Sequence, residues 1–200
     1  MSQPQGTLLV GSVNYDDAET TLRTAADILG GRIKRIPDGE VGSRFHWILF
    51  QADILGQADG IERVGGDIID VKGIAARPVR IADSVDPASI SFPPLGYAAA
   101  AIESYATFRR LRDEGAIADG VRFQVSLPTP LAVVGAFFPP EQRAAVEPVY
   151  RDALFAELEQ ILAAIPARRP RRAVGQRGGV PDHRASRVPR ERRRSAVVGP

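Results

Sequence analysis

Residues Val121–Pro130 read VRFQVSLPTP, a short run with two valines and a phenylalanine that passes directly into two prolines. A run of this length, bounded by residues that end regular structure, is typical of a strand, here Val121–Leu127. Ser126 and Thr129 place hydroxyl groups at the end of that strand, which is where parallel α/β sheets and barrels bind their ligands. The segment therefore predicts a parallel strand followed by a polar, ligand-facing loop.

Two earlier segments follow the same plan. Thr7–Val13 (TLLVGSV) is an apolar run that contains Gly11-Ser12 near its end, and Arg32–Pro37 (RIKRIP) runs into Asp38-Gly39-Glu40. Because the carboxyl ends of parallel strands share one edge of a sheet, Ser12, Asp38 and Glu40 are candidate site residues beside Ser126 and Thr129.

Helices are predicted between and after these strands from apolar residues at three- and four-residue spacing. They cover about residues 18–29, 44–55, 97–114 and 141–165. Asp16 or Asp17 is expected to cap the first helix and Ser43 the second, and Pro148 is expected to kink or break the last. Residues 56–95 are less regular and predict an excursion, a hairpin with strands at Ile68–Val71 and Pro78–Ile81. Alternating strands and helices predict an α/β fold with a parallel sheet.

Composition excludes several classes of protein. The chain is 44% apolar and 25% charged, contains no cysteine, and has no apolar run long enough for a membrane span. Neither G-x-G-x-x-G after the first strand nor G-x-x-x-x-G-K-[ST] occurs, which argues against nucleotide-phosphate folds. The N-terminus lacks the basic start and apolar run of a secretion signal, so we expect a cytoplasmic protein with no membrane partner.

The charge is divided unevenly along the chain. From Arg168 to Pro200 there are 11 arginines and two acidic residues, a net +9, so the preceding 167 residues carry −7 of the overall +2. Two interpretations of residues 168–200 stay open: a disordered basic tail that contacts nucleic acid weakly, or translation in a shifted reading frame. One permitted codon choice for this segment, read from its second base, encodes a strand-like sequence ending in Gln-Trp-Asp. We therefore divide the chain into a folded part, 1–167, and an Arg-rich segment, 168–200.

The strand-end motifs together resemble a known family. Val10-Gly11-Ser12, RIPDGE at residues 35–40 and GVRFQVSLPTPLAVV at residues 120–134 are similar to the catalytic domain of cobalamin-independent methionine synthase, and more closely to small bacterial proteins of that superfamily. That superfamily shares a TIM-barrel fold with uroporphyrinogen decarboxylase. The resemblance spans residues 7–166 and implies the N-terminal part of a (β/α)8 barrel, incomplete because only three or four main strands are visible. The alternative fold is an open doubly wound sheet.

The resemblance also implies a function. The family transfers a methyl group to a small thiol such as homocysteine, and its Gly-Ser and Glu hold the amino-acid end of that substrate, which places Ser12 and Glu40 in a substrate site. A carboxylate pairs with an ammonium, and serine offers a hydroxyl and an N–H to a carboxylate. Asp38 is a second carboxylate nearby with no family role, and Ser126 and Thr129 are candidate substrate contacts.

The sequence differs from the family in the residues that would bind the metal ion. Family members hold zinc through His, Cys and Glu in the second half of the barrel and use a folate methyl donor, whereas this chain has no Cys. The folded part, 1–167, has one histidine, His46, which we expect to be a packing or surface residue. We therefore expect no metal site, no cofactor and no turnover from these residues. The alternative function is non-enzymatic: a truncated pseudo-enzyme, or a binding protein with a basic tail.

Overall fold

A computed structural model describes residues 6–65, 69–71 and 74–166, with the backbone alone for 69–71 and 74–75. These residues form a mixed α/β structure rich in helix. In chain order, its helices and strands are α1 (Ala18–Leu29), β1 (Arg35–Pro37), α2 (Gln51–Leu55), β2 (Ile61–Arg63), β3 (Ile69–Val71), β4 (Ile74–Ala76), β5 (Val79–Ile81), α3 (Tyr97–Asp113), β6 (Arg122–Gln124), α4 (Pro130–Phe137) and α5 (Pro140–Ala164). The Arg-rich segment 168–200 lies outside the described residues, and no described helix is long and apolar enough to cross a bilayer.

The parallel sheet predicted from the strand-end motifs is present in shortened form. β1 and β6 pair in parallel with Ile36 opposite Phe123. The predicted strand at Thr7–Val13 was too long, because this segment is joined to the sheet by one isolated parallel bridge, Thr7–Ile33. The rest of the segment is held by one backbone hydrogen bond, from Val13 to Gly39, and by the side chains of Gln124 and Ser126. No closed barrel forms within the described residues.

The first and third predicted helices are confirmed. α1 begins after Asp17, whose carboxylate accepts a hydrogen bond of 2.7 Å from the Thr20 N–H, and it ends at Gly30, which takes a positive φ of 48°. α3 covers Tyr97–Asp113 almost as predicted. Both helices pack on the parallel pair through a core that contains Leu22, Ile36, Phe108, Leu111 and Ile117.

The second predicted helix, 44–55, was wrong in most of its length. A 3-10 turn at Gly42–Arg44 is followed by further turns, and only Gln51–Leu55 is α-helical. Trp47 has a φ of 59°, a left-handed conformation that cannot continue a right-handed helix. Ser43 therefore caps nothing here, and α2 follows Phe50 without a side-chain cap.

The predicted excursion is a hairpin of two antiparallel pairs, β2 with β5 and β3 with β4. β3 and β5 correspond to the predicted strands, whereas β2 and β4 were not predicted. Gln142 on α5 fixes β5 by bonding both the N–H and the carbonyl of Ile81, at 2.8 and 3.2 Å.

The end of the described chain has two helices where one was predicted. α4, Pro130–Phe137, was missed, and α5 runs from Pro140 to Ala164 without a break at Pro148. Tyr150 and Leu154 on α5 are buried in the larger core, against Phe137 of α4 and Leu95 ahead of α3. The two helices therefore cover the hairpin and the loop that leads into α3.

Candidate functional site

The three strand-end segments meet at one place, which we call the polar rim: Gly11, Ser12, Asp38, Gly39, Glu40, Gln124 and Ser126. The Val13 N–H donates to the Gly39 carbonyl at 3.0 Å, joining the first segment to the end of β1. Ser126 Oγ donates to the Val10 carbonyl at 2.7 Å, joining the same segment to the end of β6. The structure thus brings four of the five predicted site residues into one neighbourhood.

Ser12 and Glu40 touch each other directly. The Ser12 hydroxyl donates a hydrogen bond to Glu40 Oε2, across 28 residues of sequence. A Cβ atom at position 11 would lie 3.0 Å from Glu40 Oε1, so Gly11 leaves room for the carboxylate beside the backbone. Glu40 is partly buried, and no cationic side chain of the described residues pairs with it.

The backbone under Glu40 adopts an uncommon conformation. Glu40 has a φ of 50° and Gly39 a φ of 87°, so two consecutive residues lie in the left-handed region. A Cβ at position 39 would lie 2.8 Å from Thr21 Oγ1 on α1, so this turn requires glycine. A non-glycine residue in this conformation costs roughly 1–3 kcal/mol, which the surrounding contacts must offset, and such residues occur often at functional sites.

Asp38 supplies those contacts. Its carboxylate is buried and accepts three hydrogen bonds: from the Glu40 N–H at 3.0 Å, from Arg44 Nη2 at 2.7 Å and from Ser104 Oγ at 2.8 Å. The bond to Glu40 closes the turn locally, and the bond to Ser104 ties it to α3. Asp38 is therefore more than the exposed turn residue that Asp-Gly alone predicts.

The remaining predicted residues differ in their roles. Ser126 is at the rim, whereas exposed Thr129 caps α4, its Oγ1 accepting from the Ala132 N–H at 3.3 Å. Sequence reasoning missed Gln124, whose Nε2 donates to the carbonyls of Leu9 and Val10 at 2.8 and 2.7 Å. No signal in the sequence distinguishes Gln124 from Arg122 and Ser126, the other polar residues of the predicted strand.

A groove of about 760 Å³ opens beside the rim, between the N-terminal ends of α1 and α3. Arg44 and Ser104, the partners of Asp38, form part of its wall, with Phe50 and Ile54 on the apolar side. The wall of the groove and the rim therefore share one hydrogen-bonded network.

Two buried tyrosines of the core are not suited to proton transfer. Burial raises the pKa of Tyr97 and of Tyr150 well above the ordinary range of a phenol, so both hydroxyls stay protonated. His46 packs edge-to-face on Phe45, with ring centroids 4.9 Å apart, as expected for a packing residue.

The described residues contain no group of three or more His, Asp or Glu side chains that could hold a metal ion, and the chain has no Cys. The zinc of methionine synthases therefore does not fit these residues. Comparison of the chain with protein-family models, with curated proteins and with solved structures found no match.

Proposed function

We propose that the polar rim binds the amino-acid end of a small substrate, as the start of a methionine-synthase-like barrel. The observation that carries this proposal is the Glu40 carboxylate, positioned by Ser12 and lacking any cationic partner among the described residues. A partly buried carboxylate without a counter-ion is stabilised by any cation that reaches it. A primary ammonium, with three donors, suits its free oxygen.

Convergence of the strand segments favours a curved sheet of the barrel type. In a flat three-stranded sheet, the outer strands lie about 9.6 Å apart, twice the usual spacing. Here every pair of segments touches: β1 with β6 by a ladder, Thr7 with Ile33 by a bridge, and Ser126 with Val10 by a hydrogen bond of 2.7 Å. A strongly curved sheet allows all three contacts to form at once, which supports the barrel over the doubly wound sheet.

The proposal concerns binding. The Glu40 carboxylate offers an acceptor for the ammonium group, and the hydrogen bond from the Ser12 hydroxyl orients that carboxylate. Among the described residues, no group of three His, Asp or Glu side chains that could hold a metal ion is present. No methyl-transfer step is therefore assigned to these side chains.

Calorimetric titration of the full chain with L-homocysteine tests the proposal, with 4-mercaptobutanoate as the matched ligand that lacks the amino group. We expect homocysteine to bind at least about tenfold more tightly, since one charge-assisted hydrogen bond contributes about 1.5–3 kcal/mol. Glu40→Gln should abolish that preference, whereas Glu159→Gln, an exposed change on α5, should retain it. Equal affinity of the wild-type chain for both ligands would contradict the proposal.

A further inference from the structure

We propose that Asp38 is a positioning residue that binds Arg44 and thereby keeps the Glu40 carboxylate free for the ligand ammonium. This inference rests on the proposed function, and it assigns to Asp38 a role that neither the motif nor the resemblance provides. Its basis is the way in which the two oxygens of one buried carboxylate bond three neighbours.

The two oxygens of Asp38 have different partners. Oδ1 accepts the backbone N–H of Glu40, whereas Oδ2 accepts Arg44 Nη2 and Ser104 Oγ. The ion pair is mostly shielded from water, with side-chain exposures of 17% for Arg44 and 9% for Asp38. Solvent and salt screen such a pair much less than they screen a surface pair.

Arg44 is close enough to compete for Glu40. Both residues bond the same Asp38 carboxylate, so Arg44 Nη2 and the Glu40 backbone nitrogen are at most about 8 Å apart. The flexible arms of arginine and glutamate can span that separation. If Asp38 lost its charge, the partly buried guanidinium would have Glu40 as an alternative anion, and the ammonium would have to displace it.

Asp38→Asn separates this role from backbone support. The asparagine oxygen can still accept the Glu40 N–H and maintain the turn, but the neutral amide no longer balances Arg44. If Arg44 then pairs with Glu40, removing the guanidinium as well should restore the ligand site. A purely structural role for Asp38 predicts no such rescue.

The experiment compares the wild-type chain, Asp38→Asn and Asp38→Asn/Arg44→Gln, titrated with L-homocysteine. We expect Asp38→Asn to weaken binding about tenfold or more and the double variant to return to within about threefold of wild type. Wild-type affinity in Asp38→Asn, or equally weak binding by both variants, would overturn the inference.

A second readout needs no ligand and separates failure of the inference from failure of the proposed function. Thermal unfolding of Arg44→Gln, Glu40→Gln and their double variant should give additive Tm shifts when Asp38 is present, and shifts that depart from additivity by at least about 2 °C in the Asp38→Asn chain, where Arg44 pairs with Glu40. Absence of homocysteine binding by the wild type would refute the proposed function alone. Additive shifts in the Asp38→Asn chain would refute the positioning role whether or not homocysteine binds.

Discussion

Replacement of Glu157 by glutamine should lower the stability of the folded part substantially. This α5 side chain is 3% exposed, and its carboxylate accepts the N–H groups of Leu95 at 2.7 Å, Gly96 at 3.3 Å and Ala98 at 2.5 Å. Gly96 precedes α3 and has no side chain with which to cap it. Glu157 therefore caps α3 from a different helix, with its negative charge at the positive end of the helix dipole.

The size of the stability loss in Glu157→Gln follows from these three hydrogen bonds. Hydrogen bonds to a charged acceptor contribute about 1.5–3 kcal/mol each, and glutamine retains one acceptor oxygen while its NH₂ group faces a buried N–H donor. The expected loss in the free energy of unfolding is about 2–4 kcal/mol, because one or two bonds are lost and a donor is left unsatisfied. For a domain of this size, that corresponds to a fall in Tm of about 5–15 °C.

Thermal unfolding followed by circular dichroism measures this effect. Glu159→Gln is the matched control, because it makes the same chemical change two residues away on an exposed face of α5. The control should change Tm by no more than about 2 °C. If the two variants unfolded at the same temperature, the capping role of Glu157 would be refuted.

Three further outcomes are expected. Gly39→Ala should destabilise the chain by about 2–4 kcal/mol in urea titrations, because an alanine at φ 87° is strained and its Cβ meets a threonine of α1 at 2.8 Å. Hydrogen bonds from Arg110 hold the pKa of Glu19 and of Glu114 below the ordinary value. Their contribution to the free energy of unfolding should therefore be present above about pH 4.5 and be lost as the pH falls through the lowered pKa values. Replacing both residues by glutamine should make the free energy of unfolding less dependent on pH in that acidic range. If residues 168–200 are a genuine tail, deleting them should abolish a weak, salt-sensitive binding to DNA in filter assays without changing Tm, and binding that survives the deletion would contradict the assignment of the charge.

Helices whose caps and apolar spacing lie within their own residues could be predicted from the sequence. α1 combines a capping aspartate with apolar spacing and a glycine stop, and α3 has the same spacing over 17 residues. The segment 44–55 has similar spacing but forms turns, because apolar periodicity does not reveal that Trp47 takes a positive φ. α4 was missed because two prolines indicate a loop, although a proline at the first helical position after Thr129 is compatible with a helix.

The site separates in the same way into local and distant features. Ser12, Glu40 and Ser126 could be placed at one edge because polar residues at the ends of parallel strands converge regardless of what packs around them. The full hydrogen bonding of Asp38 could not be predicted, because the Ser104 hydroxyl that completes it is 66 residues away on α3. Glu157 presents the same case, since the three N–H groups that it caps lie 59 to 62 residues earlier in the chain. Both carboxylates are buried, and a buried charge is tolerated only where donors from other elements meet it. The position of such a donor depends on how helices pack, so a sequence pattern can locate the rim but cannot identify the residues that hold its charge in place.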